Sequence, residues 1–321
     1  MTQDKALLAR GVAFAYGDRQ ALKGIDFEVT KGSVHGFLGP NGSGKSTLFK
    51  ILSTLVPPQD GTISVLGIDL AADPAGVRNR LGVVFQSPAV DRKLTVQENL
   101  RYGGQLQGLS GADLSRRIDE LLEHAQLGDR RGDRVEELSG GLRRRVEISK
   151  ALLPRPEILL LDEASTGLDP SARGDMWRLI EQHKELTVLF TTHLMDEAAH
   201  ADRLTLLDDG AVVAEGAPEE LMQDAGSQVI EIVTDDPASL AAEMQSLYNV
   251  DAQVMDRTLR IEGERIHELV PQLFVQGGDR VQRLSLAHPS LEDVFLHKTG
   301  KRFVVTEPDT AAKKKSRRRR R

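Results

Sequence analysis

Hydrophobic and polar positions change period repeatedly along the first two thirds of the chain. Val34–Leu38, Leu81–Gln86, Ile158–Asp162 and the run 187–193 read as strands. Ile158 to Leu161 is apolar throughout, the pattern of a strand covered on both faces. Between these runs, Leu48, Ile51, Leu52 and Leu55 form one helical face, which Pro57-Pro58 is expected to end. Leu114, Ile118, Leu121 and Leu122 recur at helix spacing within 108–129. This alternation, from Leu7 to about Gln223, predicts an α/β domain around a largely parallel sheet. Residues 204–216 predict a hairpin turned at Asp209-Gly210.

A second pattern begins near Ser227. Strand 228–233, helix 237–247, strands 252–256 and 258–263, helix 265–278 with an awkward Pro271, and strand 281–286 follow in order. The order β-α-β-β-α-β predicts a small ferredoxin-like α+β domain. An amphipathic piece, 289–300, closes it. The expected division is therefore 1–223, with a helical subdomain at roughly 87–155, then 224–300, then a disordered basic tail at 301–321.

Composition adds exclusions. With 321 residues the chain has room for one large and one small domain, and without cysteine it has no disulfide, thiolate metal site or catalytic thiol. No apolar run reaches the roughly 18 residues of a membrane helix, and the first residues lack the apolar core of a secretory signal. The formal charge of -6 hides an asymmetry. Lys313 to Arg321 carries eight positive charges; without them, 34 of the 42 basic residues face 48 acidic ones, leaving -14 on Met1 to Ala312. An acidic body disfavours nucleic acid. The tail suits either an anionic lipid surface or a flexible solubilising end.

The chemistry starts at Gly39-Pro40-Asn41-Gly42-Ser43-Gly44-Lys45-Ser46-Thr47, the spacing G-x-x-x-x-G-K-[ST] between a strand and a helix. The glycines let backbone N–H groups wrap a β-phosphate, Lys45 reaches the β- and γ-phosphates, and the Ser46 hydroxyl suits Mg²⁺. Three later strands end in Gln86, in Asp162-Glu163 and in His193. Ligands in open α/β sheets sit beyond such carboxyl ends. Asp162 is placed for Mg²⁺ and Glu163 for polarising water. Singly, each residue has a bland reading as a loop or solvated turn; jointly they point to one phosphate. In Leu138-Ser139-Gly140-Gly141, the glycines belong at a helix start, where bare N–H groups attract an anion.

Together these motifs, in this order and with "GLDP" after the carboxylates, resemble the nucleotide-binding subunit of an ABC transporter over roughly residues 5 to 223. "HPSLEDVFLHKTG" is similar to the C-terminal extension of daunorubicin-resistance-type exporter ATPases. The resemblance implies a P-loop fold with a mixed sheet core plus a helical subdomain, and Mg·ATP bound between two copies arranged head to tail. Ser139, Gly140 and Gly141 would close on the γ-phosphate held by the other copy's Lys45. Tyr16 would stack on adenine, the lesser alternative being a half-buried strand tyrosine. Asp169 would lie at the dimer interface, His193 would bond the γ-phosphate and attacking water, and Gln86 would sense Mg²⁺ or water. Leu142 stands where the family commonly has Gln. The resemblance further implies ATP hydrolysis, a separate membrane permease, export of a drug, lipid or other amphiphile, and a peripheral place on the cytoplasmic face of the membrane. The C-terminal domain would stabilise or regulate the dimer. Two other readings are a soluble ABC ATPase acting on DNA or ribosomes, and a module that senses ATP without turnover.

Overall fold

The computed structural model describes residues 5–224, 228–263, 266–287 and 290–303, divided into two compact units at Glu215/Gly216. The first unit opens with β1 (Lys5–Tyr16), β2 (Arg19–Thr30), β3 (Val34–Leu38), α1 (Lys45–Leu52), β4 (Asp60–Val65), β5 (Ile68–Asp69) and α2 (Pro74–Arg78). It continues through β6 (Leu81–Val84), α3 (Val96–Leu106), α4 (Gly111–His124) and α5 (Gly140–Leu152). It ends with β7 (Ile158–Asp162), α6 (Pro170–Glu181), β8 (Thr187–Thr192), α7 (Met195–Ala198), β9 (Arg203–Asp208) and β10 (Ala211–Gly216).

Two sheets form. The larger has the order β10-β9-β3-β8-β7-β6, parallel apart from the edge hairpin, which turns through positive φ at Asp209 and Gly210 as expected. The register pairs Leu38 with Thr192, Thr191 with Asp162, and Leu161 with Val84, so β3, β8, β7 and β6 end along one edge. That edge is where a ligand belongs. The smaller sheet, β2-β1-β4-β5, is antiparallel and separate, where the alternation suggested one largely parallel sheet. Long β1 and β2 meet directly across a tight turn at Gly17-Asp18, leaving no segment for a crossover helix. Phe27, Phe37 and Phe49 pack edge to face at 5.0 and 5.8 Å, joining this sheet, the larger sheet and α1 in one core.

Helix α1 ends at Leu52 rather than at the prolines. Thr54 turns to φ +61°, and Leu55 is left 61% exposed instead of completing the apolar face. In α4, Leu114, Ile118, Leu121 and Leu122 are buried as their spacing predicts. A capping box of Thr95 and Glu98 starts α3.

The second unit runs from Gly216, not from residue 224, because α8 (Pro218–Asp224) packs with the last helix, α11 (Leu291–Thr299). Between them lie β11 (Gln228–Val233), α9 (Pro237–Tyr248), β12 (Ala252–Met255), β13 (Thr258–Gly263), α10 (Val270–Gly277) and β14 (Arg283–Ala287). The antiparallel order β12-β13-β11-β14 is the ferredoxin-like arrangement expected from the β-α-β-β-α-β order. Pro271 sits in the first turn of α10, where its missing N–H costs nothing, and a 3₁₀ turn at Ile266–Leu269 takes up the preceding residues. The expected tail, from Val304 onward, lies outside the described residues, as do His288 and Pro289.

One buried group makes stability pH-dependent. His35, on β3, is 1% exposed and bonded to Thr205 Oγ1 at 2.8 Å. Burial, with Arg203 nearby, pushes its pKa down to about 3 from 6.5. The unfolded chain therefore takes up the proton first, and stability is lost as pH falls from about 6.5 toward 3. Between pH 6 and 4.5 this loss amounts to about 2 kcal/mol. His35→Gln should remove it, visible as a flatter dependence of the urea midpoint on pH; parallel curves would contradict the assignment.

Candidate nucleotide-binding site

The loop from Gly39 to Gly44 joins β3 to α1, whose first turn carries Lys45, Ser46 and Thr47, and is built around backbone too crowded for side chains. A Cβ at Gly39 would stand 2.3 Å from the Leu207 carbonyl. At Gly44, φ is +108° and a Cβ would stand 2.6 Å from the Ala21 carbonyl. Lys45 is 3% exposed and donates to the carbonyls of Gly39 (2.7 Å) and Pro40 (3.0 Å). Burial lowers its pKa, with Glu163 and Asp162 acting in the opposite sense. The Ser43 hydroxyl is buried without a partner, a polar group suited to a bound anion.

At the end of β7, Asp162 is buried and accepts from Thr191 Oγ1 at 2.7 Å. Desolvation raises its pKa. The same Thr191 oxygen accepts from the Glu163 N–H at 2.9 Å, which fixes the turn after the strand. Glu163 holds φ +45°, a conformation costing a non-glycine residue on the order of 1 kcal/mol. Its Oε2 accepts from Gln86 Nε2 at 2.7 Å, and its Oε1 stands 3.6 Å from His193 Nδ1, farther than a hydrogen bond. His193 and the Lys45 charge hold the Glu163 carboxyl below its ordinary range against the effect of burial. Gln86, Glu163 and His193 thus come together within reach of Lys45.

A cleft of about 390 Å³ runs along the loop, lined by Tyr16, Asn41, Gly42, Lys45, Ser46 and Glu163, and also by Arg19. Tyr16 is 46% exposed, braced edge to face by Phe14 at 4.9 Å, and Lys50 Nζ lies 6.0 Å from its ring. Neither Ser139 nor Gly140 lines this cleft. Both are exposed at the start of α5, where Ser139 accepts from the Leu142 N–H at 3.3 Å. Gly141 abuts α6, where a Cβ would stand 2.6 Å from Ala172 Cβ. Asp169 is exposed and caps α6 by accepting from Ala172 N–H at 3.0 Å.

Residues 22–166 match the family described as ABC transporter, and residues 216–299 match the C-terminal domain of DrrA1-3-like ATP-binding proteins. The daunorubicin resistance ATP-binding protein DrrA3 of Streptomyces coeruleorubidus is 38% identical over 92% of this chain and 96% of its own length. This chain belongs to the ABC transporter ATP-binding family. A Nod factor export ATP-binding protein I of Burkholderia lata is 39% identical over 91% of this ABC ATPase and 96% of its own length. The dimeric post-hydrolysis structure of the ATP-binding cassette MJ0796, bound to ADP and Pi, matches with a TM-score of 0.59. It is 28% identical, covering 66% of this chain and 98% of that one.

Four contributors to the site in this ABC ATPase escaped the sequence reading. Arg19 opens β2 and pairs with Tyr16 across the Gly17-Asp18 turn, a signal that was available. Thr191 sits in the strand two residues before His193, and only the parallel pairing with Asp162 reveals its role. Arg144 and Glu147 of α5 bond the loop that carries Gln86, a link between segments about 60 residues apart.

Proposed function

We propose that this ABC ATPase closes with a second copy, head to tail, around two Mg·ATP and drives a separate membrane permease, most simply an exporter. The observation that carries this reading is the divided site. Lys45, Gln86, Glu163 and His193 gather at one sheet edge, while the Ser139 and Gly140 donors lie outside the cleft. A twin copy supplies what is missing: the partner's Ser139 and the N–H groups at that helix start meet the γ-phosphate. Asp169, at the N-terminus of α6, lies along the same interface.

Within each composite site the loop N–H groups from Asn41 to Thr47 wrap the β-phosphate, and Lys45 bonds the β- and γ-phosphates. Tyr16 stacks on adenine. Glu163 accepts a proton from a water that attacks phosphorus; the new O–P bond forms as the bond to ADP breaks, yielding ADP and phosphate. Gln86 and His193 orient Glu163 and the water. Ser46, Asp162 and Gln86 present hydroxyl, carboxylate and amide oxygens, a donor set that suits Mg²⁺ and would hold it. When bound, the ion neutralises charge on the phosphate oxygens.

The permease would use the cleft of about 440 Å³ between β6 and α5, lined by Arg78, Phe85, Ala89, Gln107, Glu147 and Lys150. Tyr102 and Leu106 on α3 are also exposed, and Gln107, next in the chain, lines the cleft. Among the described residues no helix is long and apolar enough to cross a membrane. The chain would sit peripherally on the cytoplasmic face. The resistance and export functions named for the relatives support an amphiphilic drug or lipid as cargo. The basic run Lys313–Arg321 would add anionic-lipid contact. The tagged chain, purified from solubilised membranes, should bring down a polytopic membrane protein that alters its ATP turnover. Recovery only with ribosomes or nuclease-sensitive DNA would contradict the transport reading.

A further inference from the structure

The loop after β6 is bonded to α5 by three side chains along one stripe of that helix. Arg144 Nη1 donates to the Phe85 carbonyl at 2.9 Å and to Glu147 Oε2 at 2.7 Å, while Nη2 reaches the Gln86 carbonyl at 3.4 Å. Glu147 Oε1 accepts from the Ala89 N–H at 2.7 Å, and Lys150 Nζ donates to the Ala89 carbonyl at 2.9 Å. The Arg144 and Glu147 side chains are only 7% and 5% exposed. A buried, fully bonded pair of this kind fixes geometry more than it adds stability. One end of α5 carries Ser139 and Gly140; the loop it grips carries Gln86, which bonds Glu163.

We propose that Arg144 and Glu147 form a strut that makes the position of Gln86 depend on the position of the Ser139 end of α5. The inference rests on the divided-site reading above and goes beyond it. In a head-to-tail dimer, Ser139 of a chain faces the partner's nucleotide, whereas Gln86 serves the chain's own. The strut therefore couples the two sites: engagement of α5 by the partner's γ-phosphate sets Gln86, and through it Glu163, for hydrolysis at home. Arg144 and Glu147 act as positioning residues and touch no nucleotide. A helix held by side-chain bonds at two points of a loop moves with that loop, which supplies the physical link that coupling requires.

The test uses the full chain. Arg144→Met alone leaves a buried carboxylate unpaired and threatens folding, so the double variant Arg144→Met/Glu147→Met, which replaces the pair by apolar groups of similar size, is the main probe. ATP affinity should be unchanged. Maximal turnover should fall on the order of ten-fold, and the Hill coefficient for ATP should drop from above one to one. Placed on Gln86→Ala, the same double change should cost nothing further, because both act through one group. Wild-type turnover and cooperativity in the double variant would overturn the strut while leaving the divided site intact, as would losses that multiply with those of Gln86→Ala. Wild-type turnover in Gln86→Ala itself would overturn the role of Gln86, and the strut with it.

Discussion

Glu163→Gln should lower ATP turnover by about two to four orders of magnitude while leaving ATP binding in place. In the proposed mechanism this carboxylate, held between Gln86 and His193 at the strand edge, takes a proton from water. Its Oε2 already accepts from Gln86 at 2.7 Å, and its turn is pinned by the bond from its N–H to Thr191. Glutamine keeps the shape and the volume, so the cleft should survive. It removes the charge that is proposed to polarise water. In the proposed cycle closure precedes hydrolysis, so the variant should accumulate as a Mg·ATP-bound dimer, visible as a doubled mass in size-exclusion chromatography with light scattering. Turnover at the wild-type level would remove Glu163 from the chemistry.

Lys45→Ala should weaken ATP binding by about ten- to a hundred-fold, the worth of one lost charge-assisted hydrogen bond. Its turnover at saturating ATP should fall by about two to three orders of magnitude, since the same ammonium faces the charge that develops on the leaving phosphates. The Lys45 ammonium bonds the Gly39 and Pro40 carbonyls at 2.7 and 3.0 Å, so each of these loses one donor as well. A modest fall in stability should accompany the functional loss. Fluorescent ATP-analogue binding and phosphate release measure the two effects separately. Unchanged values of both would contradict a phosphate-binding role.

The features legible in the sequence were those whose causes are local. The apolar run Ile158–Leu161 announces a doubly covered strand because its period is unambiguous. The loop at Gly39 announces itself because backbone crowding permits only glycine there. Asp209-Gly210 encodes its own turn. The ferredoxin-like unit followed from the order of its strands, and the antiparallel register agrees. What stayed hidden depends on pairing between distant segments. Periodicity cannot tell that β1, β2, β4 and β5 form their own sheet, since a strand facing either sheet looks alike. It cannot tell that Thr191 stands beside Asp162. Nor can it tell the arginines of Arg143-Arg144-Arg145 apart, of which Arg144 is buried against Glu147 while Arg145 donates to the Ala125 carbonyl at 3.0 Å. Leu55 fitted a helical face by spacing, but the helix ends at Leu52, three residues too early for it to count.

The central claim is that one copy of this chain holds only part of the machinery around its nucleotide. A crystal or cryo-EM structure of Glu163→Gln with Mg·ATP tests it most directly. The account predicts two chains related by a two-fold axis, each triphosphate lying between Lys45 of one and the partner's Ser139, with that hydroxyl within hydrogen-bond distance of a γ-phosphate oxygen. A triphosphate walled in by a single chain, with Ser139 facing solvent, would contradict it.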